Sequence, residues 1–132
     1  MGVGSQFILG FHGATVPLWL RRFASQFGLG GVVLFDYDCQ SKTYDNNIQA
    51  PAQLRALCSE IHALPGRPLI FIDQEGGKVR RLKDSRGFRL LPSAKALGAM
   101  SSDERLPLLT AACEEMSDLG IDFDLAPVVD LD

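Results

Sequence analysis

The sequence has no long apolar run and no excess of charge of one sign. No stretch approaches the roughly 20 consecutive apolar residues that a membrane-spanning helix needs. The net charge is −3, and Asp84 interrupts the densest basic run, residues 78–89. This balance argues against a surface for nucleic acid or an anionic membrane. The first ten residues lack a charged segment and a cleavage site, so we expect no signal peptide.

Cysteine is scarce and poorly placed for metal or disulfide chemistry. The three cysteines, Cys39, Cys58 and Cys113, are odd in number and widely spaced, and no Cys-x-x-Cys pair occurs. This pattern argues against a zinc site or a dithiol redox motif. We therefore predict free thiols, no metal site and a location in the reducing cytoplasm.

Apolar runs alternate with helical patterns along the whole chain. Strands are predicted at 7–10, 32–35, 69–72 and 121–125, and helices at 17–27, 51–64 and 103–119. Thr15 and Ser102 are the predicted N-caps of the first and third helices. The third helix carries its apolar positions on one face: Leu106, Leu109, Cys113 and Met116. Strands joined by helical crossovers form a parallel sheet with right-handed connections, so the fold class is α/β.

Four strands are half of what a closed (β/α)₈ barrel contains. Such a barrel typically takes about 250 residues, whereas this chain has 132 and reaches only the fourth strand. We therefore expect residues 1–132 to form the N-terminal half of a TIM barrel, with about four parallel strands and three covering helices. We also expect the chain to be truncated, because a complete doubly wound sheet usually ends with a covering helix.

The segment with the most chemistry follows the third strand. It reads Asp73-Gln74-Glu75-Gly76-Gly77-Lys78-Val79-Arg80-Arg81. In parallel α/β proteins, ligands bind at the carboxyl ends of the strands, where Asp73 is predicted to lie. A carboxylate accepts hydrogen bonds from hydroxyl groups and a guanidinium donates them, so Asp73 together with Arg81 suits a sugar.

This segment resembles the signature of family 3 β-N-acetylhexosaminidases. Four other segments resemble motifs of the same family in the same order: residues 11–13, 30–35, 91–92 and 120–130. The resemblance covers essentially the whole chain, which is identified as part of one family 3 TIM-barrel domain, residues 1–132. By this resemblance Asp73 binds hydroxyls of the terminal sugar and Arg81 contacts the same ring. Lys78 stands where the family frequently has arginine.

The resemblance also indicates what is absent from residues 1–132. Family members carry a Lys-His-Phe-Pro-Gly-type motif after the fourth strand, then a His-Asp acid/base pair, and later a nucleophilic aspartate. No residue of this chain matches these groups, so we assign no catalytic residue and predict that the chain alone is inactive. The resemblance implies a retaining mechanism without a cofactor.

Three functions remain open. The first is a fragment of a retaining exo-glycosidase for terminal β-linked N-acetylglucosamine, which would bind carbohydrate through part of the sugar subsite. The second is an inactive sugar-binding or assembly module, because a half barrel exposes two strand edges and is expected to pair with a second copy or with a separate C-terminal half. The third is a β-glucosidase-type member of the family.

Other polar residues receive structural interpretations. Asp73 and Glu75 could form a catalytic carboxylate pair by distance alone, but neighbours on one loop cannot flank a scissile bond. Glu75 is instead predicted to order its loop through backbone hydrogen bonds. His12 could line the site, although a structural role is favoured. Residues 36–50 are predicted to form a polar loop with residues 45–47 at its tip, and Asp130 to form structural hydrogen bonds.

Overall fold

The fold is an α/β arrangement built on one four-stranded parallel sheet. The computed structural model describes residues 2–129, so Asp130 lies outside the described residues. The strands are β1 (Ile8–Leu9), β2 (Gly31–Val33), β3 (Leu69–Ile72) and β4 (Phe123–Asp124). They lie in the order β1-β2-β3-β4 with every pair parallel. This order confirms the predicted N-terminal half of a (β/α)₈ barrel.

Helices connect successive strands. The α-helices are α1 (Leu18–Phe27), α2 (Pro51–His62), α3 (Ala94–Gly98) and α4 (Ser102–Leu119), and short 3₁₀ helices span Val3–Gln6 and Asp84–Arg86. The three predicted helices correspond to α1, α2 and α4. Helix α3 was not predicted; it is a single short turn of helix capped by the Ser93 hydroxyl, which accepts from the backbone of Ala96.

The core lies between the sheet and the helices. Val32, Ile70 and Ile72 on the strands are fully buried, as are Leu54 and Ile61 on α2. Continuous apolar strands of this kind are covered on both faces in parallel sheets. Proline at the first position of α2 costs no hydrogen bond, because that backbone position has no acceptor within the helix.

The predicted caps were wrong by one or two residues. Helix α4 begins with a capping box in which Ser101, not Ser102, accepts from the backbone of Glu104, and the Glu104 carboxylate accepts from the backbone of Ser101. Helix α1 has Pro17 at its N-cap and no side-chain cap, so Thr15 does not serve. The capping box satisfies two backbone donors at once, which explains why it outcompetes the neighbouring serine.

The apolar face of α4 is mostly uncovered. Of this helix only Met116 and Leu119 are buried, whereas Leu106 is 56% exposed and Leu109 is 37% exposed. The spacing therefore predicted the helix, but only its last turn is buried, where α4 packs against α2. Within residues 2–129, no helix combines the length and the apolar character needed to cross a membrane.

Candidate functional site

Asp73 and Arg81 meet at the carboxyl end of the sheet. Asp73 follows the last residue of β3, and its Oδ2 lies 2.6 Å from Nη2 of Arg81. Both side chains are about one quarter exposed, at 28% and 22%. The ion pair therefore lies at the protein surface, where a ligand can reach both side chains. The residues singled out for sugar binding are thus adjacent in space.

A buried glutamine shapes the loop that joins the pair. Gln74 is 3% exposed, and its Oε1 accepts from the backbone N–H of Arg81 at 2.8 Å and of Leu82 at 3.0 Å. Its backbone N–H donates to Oδ1 of Asp124, which ties the loop to β4. Gln74 thereby brings Arg81 back towards β3. The sequence pattern indicated no role for Gln74, because a glutamine between two acidic residues gives no sign of being buried.

A second carboxylate, Asp36, was also missed. It lies three residues beyond the last residue of β2, directly after the predicted strand 32–35, and it is only 1% exposed. Its Oδ2 lies 2.7 Å from Nζ of Lys83, and its Oδ1 lies 3.7 Å from Nη1 of Arg81. Arg81 therefore lies between two carboxylates, with its guanidinium 5.3 Å from the centre of the Phe35 ring. A buried charge requires such partners, and they fix the direction of Arg81.

The loop after β2 differs from the prediction. Asn46 and Asn47 were expected at an exposed tip, but they are 6% and 0% exposed. Asn47 accepts from the backbone of Phe35 at 3.0 Å and donates to the carbonyls of Phe11 and Gly13. Through their side-chain hydrogen bonds, the two asparagines therefore hold the loops after β1 and β2 together. Asparagine does this well because its amide both donates and accepts.

These two loops enclose an open cleft, here called the β1–β2 cleft. Its volume is about 540 Å³. Its lining is partly aromatic and partly polar and comprises Gly10, Phe11, His12, Phe35, Tyr37, Asp38, Cys39, Gln40, Asn46 and Arg81. Because Arg81 both borders the cleft and contacts Asp73, the cleft adjoins the Asp73–Arg81 pair.

Glu75 and Asp124 connect the β3 loop to the end of β4. Oε1 of Glu75 accepts from the backbone of Val128 at 2.9 Å, which confirms its predicted loop-ordering role. Burial raises the pKa of Asp124, and the negative charges of Glu75 and Asp73 add to this effect. The carboxylates thus crowd one end of the sheet. Lys78, in the same loop, is exposed.

Asp122 and His62 contact each other and have a structural role. Nε2 of His62 lies 2.9 Å from Oδ2 of Asp122, which also accepts from the backbone of Ile70. Burial alone would raise the pKa of Asp122, but these hydrogen bonds hold it below its usual value. The pair fastens α2 to the segment just before β4. Among residues 2–129, no group of three or more His, Cys, Asp or Glu side chains is arranged to hold a metal ion.

Comparison with known proteins agrees with this architecture. Residues 19–132 match the Glycosyl hydrolase family 3 N terminal domain. The chain is 41% identical over 120 residues to a Beta-hexosaminidase of Thiobacillus denitrificans, covering 85% of this chain and 30% of that protein. It is 35% identical over 134 residues to a Beta-hexosaminidase of Alkalilimnicola ehrlichii, covering 94% of this chain and 35% of the relative.

Comparison with a solved structure also gives a match over most of this chain. NagZ from Neisseria gonorrhoeae, in complex with N-trifluoroacetyl-D-glucosamine, superposes with a TM-score of 0.75 at 27% identity. The match covers 95% of this chain and 37% of NagZ. The chain therefore spans about a third of the length of its relatives, in sequence and in structure alike. Fold, motif order and sequence identity agree, and this chain belongs to glycosyl hydrolase family 3.

Proposed function

We propose that this chain provides part of the sugar-binding subsite of a family 3 β-N-acetylhexosaminidase, in which Asp73 and Arg81 bind the terminal sugar. The observation that carries the proposal is the 2.6 Å contact between Asp73 and Arg81 at the carboxyl end of β3. The carboxylate accepts from sugar hydroxyls while the guanidinium donates, so the fixed pair can grip one ring at two points.

The sugar class rests on the relatives. The curated relatives named above are Beta-hexosaminidases, and the matching NagZ structure holds an N-acylated glucosamine derivative. These names support a terminal β-linked N-acetylglucosamine and favour it over the glucose that a β-glucosidase-type member would take. The proposed setting is carbohydrate metabolism or cell-wall recycling in the cytoplasm. Three free thiols are compatible with that reducing compartment.

We propose further that residues 1–132 do not hydrolyse the bond on their own. Retaining hydrolysis needs two carboxyl groups on opposite sides of the scissile bond. The other carboxylates around Asp73 are already engaged: Asp36 with Lys83, Glu75 with the backbone of Val128, and Asp124 with the backbone of Gln74. In the proposed reaction, the acid/base and the nucleophile that forms the covalent glycosyl intermediate come from residues outside this chain.

A binding titration tests the proposed sugar site. N-acetylglucosamine is added to the chain and to the Asp73→Asn variant, and backbone NMR shifts report the dissociation constant. We expect about 10- to 100-fold weaker binding by the variant, because a hydrogen bond to a charged group contributes about 1.5–3 kcal/mol. Asp84→Asn is the matched control, since Asp84 pairs with Arg80 in the same loop at 2.7 Å but is half exposed.

Two results would contradict the proposal. One is saturable binding that Asp73→Asn and Asp84→Asn weaken equally, and the other is no binding at all. Hydrolysis is tested separately with a chromogenic N-acetyl-β-glucosaminide. We expect no turnover by the 132-residue chain. Turnover that persists in every variant lacking one carboxylate would indicate a contaminating enzyme. Turnover abolished by Asp73→Asn would overturn the claim that the chain alone is inactive.

Assembly is a second candidate role, favoured by uncovered apolar surface at one edge of the sheet. β1 and β4 are the edge strands. Phe123, Leu125 and Val128 at the β4 edge are each at least half exposed. Exposed edges of this kind pair readily with other chains, so the isolated chain is proposed to dimerise or to pair with a separate C-terminal half. Light scattering tests the first option: a dimer is expected, and a stable monomer at high concentration contradicts it.

A further inference from the structure

Four charged side chains of alternating sign form a row at the carboxyl end of the sheet. In order along the row they are Asp73, Arg81, Asp36 and Lys83. Neighbours lie 2.6 Å apart at the Asp73 end, 3.7 Å apart in the middle and 2.7 Å apart at the Lys83 end. Asp73 and Arg81 are the proposed sugar contacts. Lys83 stands at the opposite end of the row and balances its charge.

Asp36 is the most buried member of this row. It is 1% exposed, whereas the other three side chains are 22–28% exposed. Within residues 2–129, no donor makes a well-directed hydrogen bond to either oxygen of Asp36. Its charge is compensated instead by the nearby cations of Lys83 and Arg81. A buried charge that loses such a partner is strongly unfavourable.

Asp36 and Asp73 compete for the single guanidinium of Arg81. Electrostatic attraction is stronger where water is excluded, so an Asp36 without another cation would draw Arg81 towards itself. Arg81 nevertheless lies 2.6 Å from Asp73 and 3.7 Å from Asp36. Lys83 accounts for this difference, because its Nζ lies 2.7 Å from Asp36 and supplies the compensating charge.

The loop after β2 holds Lys83 in position. Nζ of Lys83 lies 3.4 Å from the centre of the Tyr44 ring, close enough for a cation–π interaction. Arg86 donates to the backbone carbonyls of Tyr44 and Ile48, which fastens this loop to the segment after β3. Because a lysine side chain is flexible, the ring contact helps to keep its charge beside Asp36 and out of the solvent.

We propose that Lys83 is a positioning residue for sugar binding: it neutralises Asp36 and so leaves the guanidinium of Arg81 facing Asp73 and the sugar. This inference rests on the proposed function, since it takes Asp73 and Arg81 as the sugar contacts. Lys83 acts through Asp36 and does not touch the sugar. Without its charge, Asp36 draws Arg81 away from Asp73, and the sugar loses a donor.

A double-mutant cycle tests this coupling. N-acetylglucosamine is titrated into the wild type, Lys83→Met, Asp36→Asn and the double variant, with backbone NMR shifts as the readout. We expect Lys83→Met to weaken binding about tenfold, the lower end of the loss for one charged hydrogen bond. Asp36→Asn alone should retain most of the affinity, because Arg81 keeps Asp73. In the Asp36→Asn background, Lys83→Met should change the affinity by less than about twofold.

Two further variants are matched controls. Lys83→Arg keeps a positive charge near Asp36 and is expected to retain most of the affinity. Lys95→Met removes the same charge from an exposed position of α3 and is expected to leave binding unchanged. A loss with Lys95→Met as large as that with Lys83→Met would overturn the inference, because net charge and not the place of Lys83 would then govern binding.

A structure of the free Lys83→Met variant tests the inference without sugar. We expect a guanidinium nitrogen of Arg81 to lie about 2.7–2.9 Å from Asp36, the usual length of a charge-assisted hydrogen bond, and to have left Asp73. An Arg81 that still contacts Asp73 would overturn the inference. If Lys83→Met does not fold, the double variant decides, because it buries no uncompensated carboxylate. It should fold and bind the sugar as Asp36→Asn does, and a tenfold loss would contradict the inference.

The outcomes distinguish this inference from the proposed function. If the sugar binds with Asp73-dependent affinity but Lys83→Met loses equally in both backgrounds, or loses nothing, the inference fails alone. If the wild type binds no sugar, the proposed function fails and the role of Lys83 in binding fails with it. The structure of free Lys83→Met then still shows whether Lys83 sets the direction of Arg81.

Discussion

Arg81 lies 2.6 Å from Asp73 although eight positions separate the two residues in the chain. The contact exists because Gln74 accepts from the backbone of Arg81 and turns the loop back, while Asp36 attracts the guanidinium from the opposite side at 3.7 Å. The pair is therefore held before any ligand arrives. Preorganisation of this kind lowers the entropic cost of binding.

The first prediction concerns the shape of the Arg81 side chain. Arg81→Lys keeps the positive charge but loses the planar fork that serves two carboxylates at once. We expect this variant to bind N-acetylglucosamine about tenfold more weakly, and Arg81→Met up to about 100-fold more weakly, since charged hydrogen bonds contribute about 1.5–3 kcal/mol. Calorimetric titration measures both. Equal affinity of Arg81→Lys and the wild type would show that charge alone matters.

The second prediction concerns the buried amide of Gln74. Gln74→Leu leaves the backbone N–H groups of Arg81 and Leu82 without their acceptor, and Leu82 is itself buried. Each unsatisfied buried group costs about 1–3 kcal/mol, so we expect the free energy of unfolding to fall by about 2 kcal/mol or more. Urea denaturation measures the loss. Gln26→Leu, the same change at an exposed position of α1, is the control and should change little.

The third prediction concerns the turn at Gly76. A Cβ atom at this position would lie 2.1 Å from the carbonyl oxygen of Pro92, and the φ angle of +78° disfavours any other residue. Gly13 has a φ of +101° but open space around it. Gly13→Ala should therefore cost only backbone strain, of about 1–3 kcal/mol. Gly76→Ala should cost clearly more in thermal unfolding, because a rigid backbone atom blocks it, and equal losses would contradict this account.

The fourth prediction concerns pH. The pKa of Asp124 is raised in the folded chain, chiefly by burial and further by the charges of Glu75 and Asp73. A raised pKa means that the protonated carboxyl favours the folded state at low pH, and that this contribution is lost as pH rises through the raised value. Asp124→Asn keeps an oxygen for the backbone of Gln74 but carries no charge.

In measurements from about pH 3 to pH 7, we therefore expect Asp124→Asn to gain stability relative to the wild type as pH rises above the ordinary aspartate pKa of about 4. Urea denaturation across this range measures the difference. Asp118→Asn, at an exposed position of α4, should show no comparable trend. A difference between Asp124→Asn and the wild type that is constant with pH would mean that Asp124 does not titrate in the expected direction.

Much of the fold followed from local sequence patterns. The predicted bounds of β3 match Leu69–Ile72, and the predicted start of α2 at Pro51 is correct. Both are encoded in neighbouring residues: an apolar run between prolines and an acid in one case, a proline followed by apolar residues at helical spacing in the other. Asp73 and Arg81 were found because the motif that contains both is contiguous.

The missed parts of the site depend on contacts between distant segments. Asn47 bonds to Phe11, which is 36 positions away, and His12 meets Asp38 only when the loops after β1 and β2 come together. The residues next to Asn47 and His12 in the sequence give no indication of these contacts. A buried asparagine such as Asn47 therefore cannot be distinguished from an exposed loop residue. Asp36 was the exception that could have been found, because it directly follows the predicted strand 32–35 as Asp73 follows the predicted strand 69–72. The same reasoning about strand ends applied to both.

A structure of the chain with N-acetylglucosamine bound tests the central claim most directly. The account predicts the sugar at the carboxyl end of β3, with its hydroxyls donating to the carboxylate of Asp73 and with Arg81 in contact with the same ring. A sugar bound elsewhere, with Asp73 and Arg81 still contacting only each other, would contradict it.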